Sequence, residues 1–384
     1  MAGFHRSGTS LTAETLSRSG LFMGYELLGA NPTNPHGHFE DAEAIELHDN
    51  MLAACGKDWM VAEDFTPQLT AGHREQLAEF ASRRNAEHAT WGFKDPRVNH
   101  FLTEWRAKLP DAKVLIVFRD PVECVDSLHR RHAREFVRLQ SPSYPPFFTE
   151  PDLALRMWIS ANEALLRFAR QNPNDVLVVS NAALMSGYRL VDAINDRWDF
   201  GLGDSPVSEV LDPSLSKSAE APLAVEDTTL RDKIIRQWSE FLELEDRSAA
   251  TAETEHYSFD QIKLGQGERP VEIRLENELL RLEIQLLRAA LGDAQPNLHD
   301  RAPFVLGSAR VIAPNTGPVV MHESADSHST IDADIDYLLK LSETFPFNLM
   351  KGRRRKLATI RERFTPVTDW TTSRVLITRP GASG

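Results

Sequence analysis

The clearest pattern along the chain is an apolar run with no polar position inside it, Val114-Leu115-Ile116-Val117-Phe118. A strand with one wet face alternates, so an unbroken run of this length is what a strand buried on both faces of a parallel sheet requires. Val176-Leu177-Val178-Val179 repeats the pattern, and Thr90-Trp91-Gly92-Phe93-Lys94 reads as a short strand. Between these runs apolar positions recur at helical spacing. Leu11, Thr15, Leu16 and Leu21 follow a glycine-bracketed loop, residues 42–48 begin behind Glu40 and Asp41, and residues 70–86 are polar and helix-favouring. Helices are also expected over 99–108, from Pro121 onward, over 152–170 through Leu155, Trp158, Ile159, Leu165 and Phe168, and up to about Trp198. Strands alternating with helices predict an α/β fold, a three-layer parallel sheet flanked by helices, with ligands beyond the carboxyl ends of the strands.

The pattern changes after residue 222. Residues 226–246 are helical, and 271–291 place Leu275, Leu279, Leu282, Leu286 and Ala289 at alternating four- and three-residue steps. That seam is barely two heptads long, enough for a homodimer contact or for a helix packed on the main domain. Residues 293–330 lack periodicity and read as a flexible linker, 331–343 are helical, and a basic run follows over 351–363. The expected division is therefore a domain over 1–222, a helical and short coiled-coil extension over 223–292, the linker 293–330 and a helical segment with the basic run over 331–384.

Composition narrows the function. With 43 basic against 56 acidic residues and a net charge of −13, a general nucleic-acid binder is disfavoured. The two cysteines, Cys55 and Cys124, form neither a disulfide framework nor a metal knuckle, which favours a reducing cytoplasm. No apolar run approaches the roughly 18 residues of a membrane span. The basic run can instead lie against an anionic inner membrane face, or be a solvated charged surface.

The candidate chemistry begins at the N-terminus. Gly3-Phe4-His5-Arg6-Ser7-Gly8-Thr9-Ser10 has the glycine spacing of a phosphate-cradling loop opening a helix, whose backbone N–H groups and dipole favour an anion. The nucleotide-triphosphate version has Lys before Ser or Thr; here that place is Thr9, and Arg6 lies inside the loop instead. This argues against ordinary ATP chemistry. Such a loop hangs from a strand typically about 5 residues long, yet only Met1 and Ala2 precede Gly3, so a start upstream of Met1 is expected.

Eight residues separate Arg119, at the end of one strand, from Ser127 on the following helix. With the glycine loop upstream, the set resembles the sulfotransferases that use 3′-phosphoadenosine 5′-phosphosulfate (PAPS), and the N-terminal run with Gly37-His38-Phe39-Glu40-Asp41 is similar to a broad bacterial group of them. Phe93-Lys94-Asp95-Pro96 is similar to a Lys-Asp-Pro motif of the tyrosylprotein sulfotransferases. The resemblance covers roughly residues 1–220. It implies PAPS as sulfuryl donor, a 5′-phosphate held by Arg6, Ser7, Gly8, Thr9 and Ser10, and a 3′-phosphate held by Arg119 and Ser127, with Lys217 above it. Arg6 and Lys94 would meet the sulfuryl group and Glu40 would be the general base, with Asp41, His38 and His36 as rivals. No metal is required, because the leaving group carries fewer charges than a triphosphate. Val179-Ser180-Asn181 departs from the family pattern, in which an aromatic meets the adenine. The acceptor hydroxyl, whether of a glycan, glycolipid or small metabolite, is left open. The rival functions are a P-loop kinase and a non-catalytic binding protein on the same fold.

Overall fold

The structure is a computed structural model, and it describes residues 1–29, 37–138, 147, 150, 152–210, 223–225, 227–248, 262–264, 278 and 281. All of them fall in one compact unit, Met1–Leu282. The expected linker 293–330, the helix 331–343 and the basic run 351–363 lie outside the described residues, as does the 271–291 seam apart from Glu278 and Arg281.

The two apolar runs form β1 (Val114–Phe118) and β2 (Val176–Ser180), paired in parallel with Ile116 opposite Val178. Ala2 joins β1 on its other edge: its N–H donates to the Leu115 carbonyl at 2.8 Å and its carbonyl accepts from Val117 at 2.9 Å. Alternate strand residues feed two cores. Ile116, Phe118, Val176 and Val178 face one, and Leu115, Val117, Leu177 and Val179 the other. Helices cover both: α1 (Thr9–Arg18) contributes Leu16 to the second core, while α2 (Ala42–Ala54) and α3 (Ala71–Glu87) contribute Met51, Leu52, Leu77 and Phe80 to the first. This two-sided burial is why β1 and Val176–Val179 of β2 are apolar.

The expected strand over 90–94 is not a ladder. Trp91 makes a single bridge to Phe22, and the carbonyl of Phe93 accepts from the Met1 amino group at 2.8 Å. Pro96 lies just beyond and cannot donate to a ladder. The helix expected over 99–108 is likewise split, into a 3₁₀ turn at Pro96–His100 and α4 (Leu102–Lys108). α5 (Pro121–Arg138) and α6 (Leu153–Gln171) pack together on the same core as α2, α3 and α4. The stretch after β2 is two helices rather than one, α7 (Asn181–Met185) and α8 (Leu190–Trp198), separated at Gly187, with a turn of α9 (Val207–Val210) beyond.

Beyond residue 222 the chain is not wholly helical. β3 (Leu223–Val225) and β4 (Ile262–Leu264) pair in parallel around α10 (Thr228–Leu244). α10 docks on α6: Gln237 donates to the Ile159 carbonyl at 3.1 Å, and Phe241 stacks on Phe118 with centroids 4.8 Å apart. Each large apolar side chain so buried stabilises the fold by about 1.5–3 kcal/mol. Among the described residues no helix is long and apolar enough to cross a membrane.

Candidate active site

The site forms where the N-terminal loop meets the carboxyl ends of β1 and β2. Gly3 is required by close approach, since a Cβ there would lie 2.4 Å from the Val117 carbonyl of β1. Gly8, at φ +96°, turns the chain into α1, and a Cβ there would lie 2.3 Å from the Asn181 amide nitrogen at the end of β2. Between them Arg6 adopts a left-handed backbone at φ +67°, rare for a residue with a side chain. A second such residue, Phe39 at φ +52°, separates His38 from Glu40 across the cleft. Non-glycine residues in this region gather at functional sites because the surrounding fold must hold them there.

The loop is ready for an anion. No side chain caps α1, as none caps α4, α6 or α8, while Asp41, Thr70, Ser180 and Asp227 cap α2, α3, α7 and α10. The first N–H groups of α1 are left to a ligand or solvent. Ser7 is fully buried and its hydroxyl has no hydrogen-bond partner among the described residues. An orphaned hydroxyl beside an uncapped helix start fits a phosphate oxygen.

Arg6 lies at the centre of the positive charge. Its Nε donates to Ser127 Oγ at 3.0 Å, and among the described residues it has no carboxylate partner. Burial, then the guanidinium groups of Arg131, Arg119 and Arg130, push its pKa down to about 10. Arg119 turns toward the loop, donating from Nη1 to the Arg6 carbonyl at 3.1 Å, while its Nε pairs with Glu123 at 2.8 Å. The strand-end arginine and the helix serine, expected to form one subsite, are thus joined through Arg6.

A second group gathers around Lys94. Its ammonium donates to Glu40 Oε1 at 2.6 Å, to the His38 carbonyl at 3.0 Å and to Ser10 Oγ at 3.2 Å. Both Lys94 and Glu40 are buried. The cation absent at Thr9 is therefore supplied to the start of α1 by a residue 84 positions later in the chain. Of the rivals to Glu40, Asp41 is occupied elsewhere: it caps α2, bonds Arg84 at 2.7 Å and is buried. Burial raises its pKa, against the pull of Arg84. His38 remains in the cleft, its Nδ1 4.0 Å from Glu40 Oε1, with its pKa pushed down to about 4 by burial and by Arg131, Lys94 and Arg6. His5 packs edge-on against Trp59 at 5.1 Å, a loop-packing role. His36 and Lys217 lie outside the described residues.

A buried relay behind Lys94 was not visible from spacing. Trp105 donates from its indole to His48 Nε2 at 2.8 Å, so the proton of a neutral His48 is on Nδ1, which donates to Asp95 at 2.7 Å. Asp95 also accepts from Arg97 Nη1 at 2.9 Å. Although burial opposes it, the His48 bond and the Arg97 charge hold the Asp95 carboxyl well below the ordinary range. Sequence reasoning also missed Arg131, one helical turn beyond Ser127; the spacing of four was the available signal.

A glycine-bracketed loop on a parallel strand pair, with an arginine and a serine from the neighbouring strand end and helix beside it, defines an α/β domain with a candidate anion site. Residues 1–187 match the model of the sulfotransferase family. No curated protein and no solved structure matches the chain.

Proposed function

We propose that this domain moves a sulfuryl group from PAPS to an acceptor hydroxyl, releasing adenosine 3′,5′-bisphosphate. The observation that carries the reading is Arg6: a guanidinium inside the anion loop, bonded to Ser127, flanked by Arg119 and lacking a carboxylate partner among the described residues. A donor with a phosphate at each end of one nucleoside answers that demand, and a triphosphate without a loop lysine answers it less well.

The roles follow from placement. The backbone of residues 7–10 and the start of α1 hold the 5′-phosphate, and Ser7 Oγ gains the partner it lacks. Arg119, Ser127 and Arg6 take the 3′-phosphate; Lys217 is proposed as a further cation there. Arg6 was expected to serve the sulfuryl group, but its bond to Ser127 favours the nucleotide end. Lys94, already touching Ser10, faces the sulfuryl oxygens and stabilises charge as the bond from sulfur to the bridging phosphate oxygen breaks. Glu40 takes the proton of the acceptor hydroxyl as its oxygen bonds to sulfur, and the leaving bisphosphate keeps the electron pair. A cytoplasmic setting, pairing through 271–291 and contact of 351–363 with anionic lipid belong to the same proposal.

The test is thermal denaturation with adenosine 3′,5′-bisphosphate or with ATP and Mg²⁺, followed by labelled PAPS and an acceptor panel. Stabilisation by the bisphosphate is expected. Stabilisation by ATP–Mg²⁺ alone would turn the reading toward a kinase.

A further inference from the structure

The anion loop leaves the sheet almost as soon as it has joined it. Ala2 directs its N–H and its carbonyl to β1, at 2.8 and 2.9 Å, so the nitrogens of Met1 and Gly3 face the outer edge, where no strand continues the ladder. The turn over residues 93–99 takes that strand's place. The Phe93 carbonyl accepts from the Met1 nitrogen at 2.8 Å, and Asn99 Oδ1 accepts from the Gly3 N–H at 3.0 Å. Lys94, in the same turn, reaches Ser10 at the other end of the loop at 3.2 Å. The turn is itself fixed, because Asp95 caps it by accepting from the Arg97 N–H at 3.1 Å and is bonded in turn by His48. One short segment thus grips the loop at both ends, through Asn99 at Gly3 and through Lys94 at Ser10.

Asn99 is buried, and Gly3 fixes the orientation of its amide, since only the amide oxygen can accept. Its Nδ2 is consequently buried with no hydrogen-bond partner among the described residues. Ser7 Oγ is the other such group at this place, and a Cβ on Gly3 would lie 2.9 Å from it. An unsatisfied buried donor opposes folding, and a leucine of similar shape would remove it. One bond made and one donor stranded leave Asn99 with little net contribution to stability. What the residue supplies is the position of Gly3.

Resting on the sulfotransferase reading, we infer that Asn99 is a positioning residue for the donor. Through Gly3 it holds the loop in register with β1 and with Lys94, so that the amides of residues 7–10 meet the 5′-phosphate. Asn99 itself touches no ligand. Arg119 and Ser127 come from the end of β1 and from α5, outside the loop, so the 3′-phosphate depends on Asn99 far less.

The test measures binding of adenosine 3′,5′-bisphosphate, adenosine 5′-phosphate and adenosine 3′-phosphate to the full chain by calorimetry. Asn99→Leu keeps the shape and removes the acceptor. It should weaken the bisphosphate and the 5′-phosphate about tenfold, the effect of one hydrogen bond, and the 3′-phosphate less than about threefold. Asn99→Ser, with a shorter acceptor, should show the same selective loss in smaller measure, and it carries the test if the leucine variant does not fold. Equal weakening of all three ligands, or of none, overturns the inference, because a merely structural residue does not single out one end of the nucleotide. Failure of both variants to fold overturns it as well. If wild-type protein does not bind the bisphosphate, the donor reading has failed and this inference falls with it.

Discussion

The pair Lys94–Glu40 offers the most direct measurement of how this site is built. Both residues are nine-tenths or more buried and meet at 2.6 Å, so this is not a surface ion pair of marginal value. Replacing Lys94 by Met keeps the aliphatic stem but leaves the Glu40 carboxylate buried without its counter-charge. Breaking a buried pair in this way costs about 3–5 kcal/mol, because the stranded charge has already lost its water. In a folding unit of this size each kcal/mol moves the melting temperature by roughly 2–4 °C, so Lys94→Met should lower it by about 6–20 °C. Glu40→Gln alone strands the ammonium, although the amide oxygen can still accept from it, and should be milder. The double variant removes both charges, so its loss should fall short of the sum of the single losses by about 2 kcal/mol or more. Urea denaturation of the four proteins closes the cycle. Activity separates from stability: Glu40→Gln should lower kcat by about 10²–10⁴-fold, and the double variant should recover stability without recovering turnover. A loss below about 1 kcal/mol in Lys94→Met, with additive effects in the double variant, would refute the argument that this pair is a desolvated unit.

Three further outcomes follow from the geometry. Arg119→Ala removes a fork that touches the loop carbonyl of Arg6, and calorimetry should show adenosine 3′,5′-bisphosphate binding about 10–100-fold more weakly. Gly8→Ala places a methyl group 2.3 Å from the Asn181 amide at φ +96°, so bisphosphate binding should be lost; adding Asn181→Gly should restore the part due to the clash and not the part due to the backbone. Although burial opposes it, the His132 bond and Arg131 lower the Glu135 pKa from 4.5 to about 2. Its contribution, about 3 kcal/mol, is therefore fully present above pH 4.5 and lost as pH falls toward 2. Glu135→Gln should flatten the acid limb of the stability curve in that window, and an unchanged limb would show that the His132 and Arg131 contacts do not act on Glu135 in this way.

The elements legible in the sequence were those whose pattern has one physical cause. β1 and the first four residues of β2 are apolar because helices cover both faces, with Ser180 closing β2 as the cap of α7. The loop is legible because the spacing of Gly3 and Gly8 is a sequence signature in itself, although the close approaches that require them involve Val117 and Asn181 far along the chain. What escaped was whatever depends on partners distant in the chain. Residues 90–94 carry strand-like composition, yet their partners are Phe22 and the first residue of the chain. Asp41 and Glu40 are adjacent acidic residues before one helix and cannot be ranked by spacing; only Arg84, on α3, makes Asp41 a structural cap and leaves Glu40 to Lys94. The division near residue 222 marks a change of composition, while Trp238 and Phe241 share a core with Phe118 because burial is blind to sequence distance.

The displaced cation is the feature that ties these observations together. In a nucleotide triphosphatase loop the lysine is part of the loop and moves with it. Here position 9 is threonine, and the ammonium arrives at Ser10 from a turn anchored elsewhere, by Asp95 through His48 and Trp105 on one side and Arg97 on the other. The loop can therefore hold a phosphate without a cation of its own at the transferring end. The charge that group would meet comes instead from the element that also grips Glu40, the proposed general base. On the proposed function, binding of the donor and engagement of the acceptor would be coupled through one nitrogen. In the proposed reaction, a donor oxygen bonded by Lys94 beside Ser10 competes with Glu40 for the same ammonium. Turnover should then require both ligands in place, which is the behaviour a transferase needs if it is not to spend its donor on water.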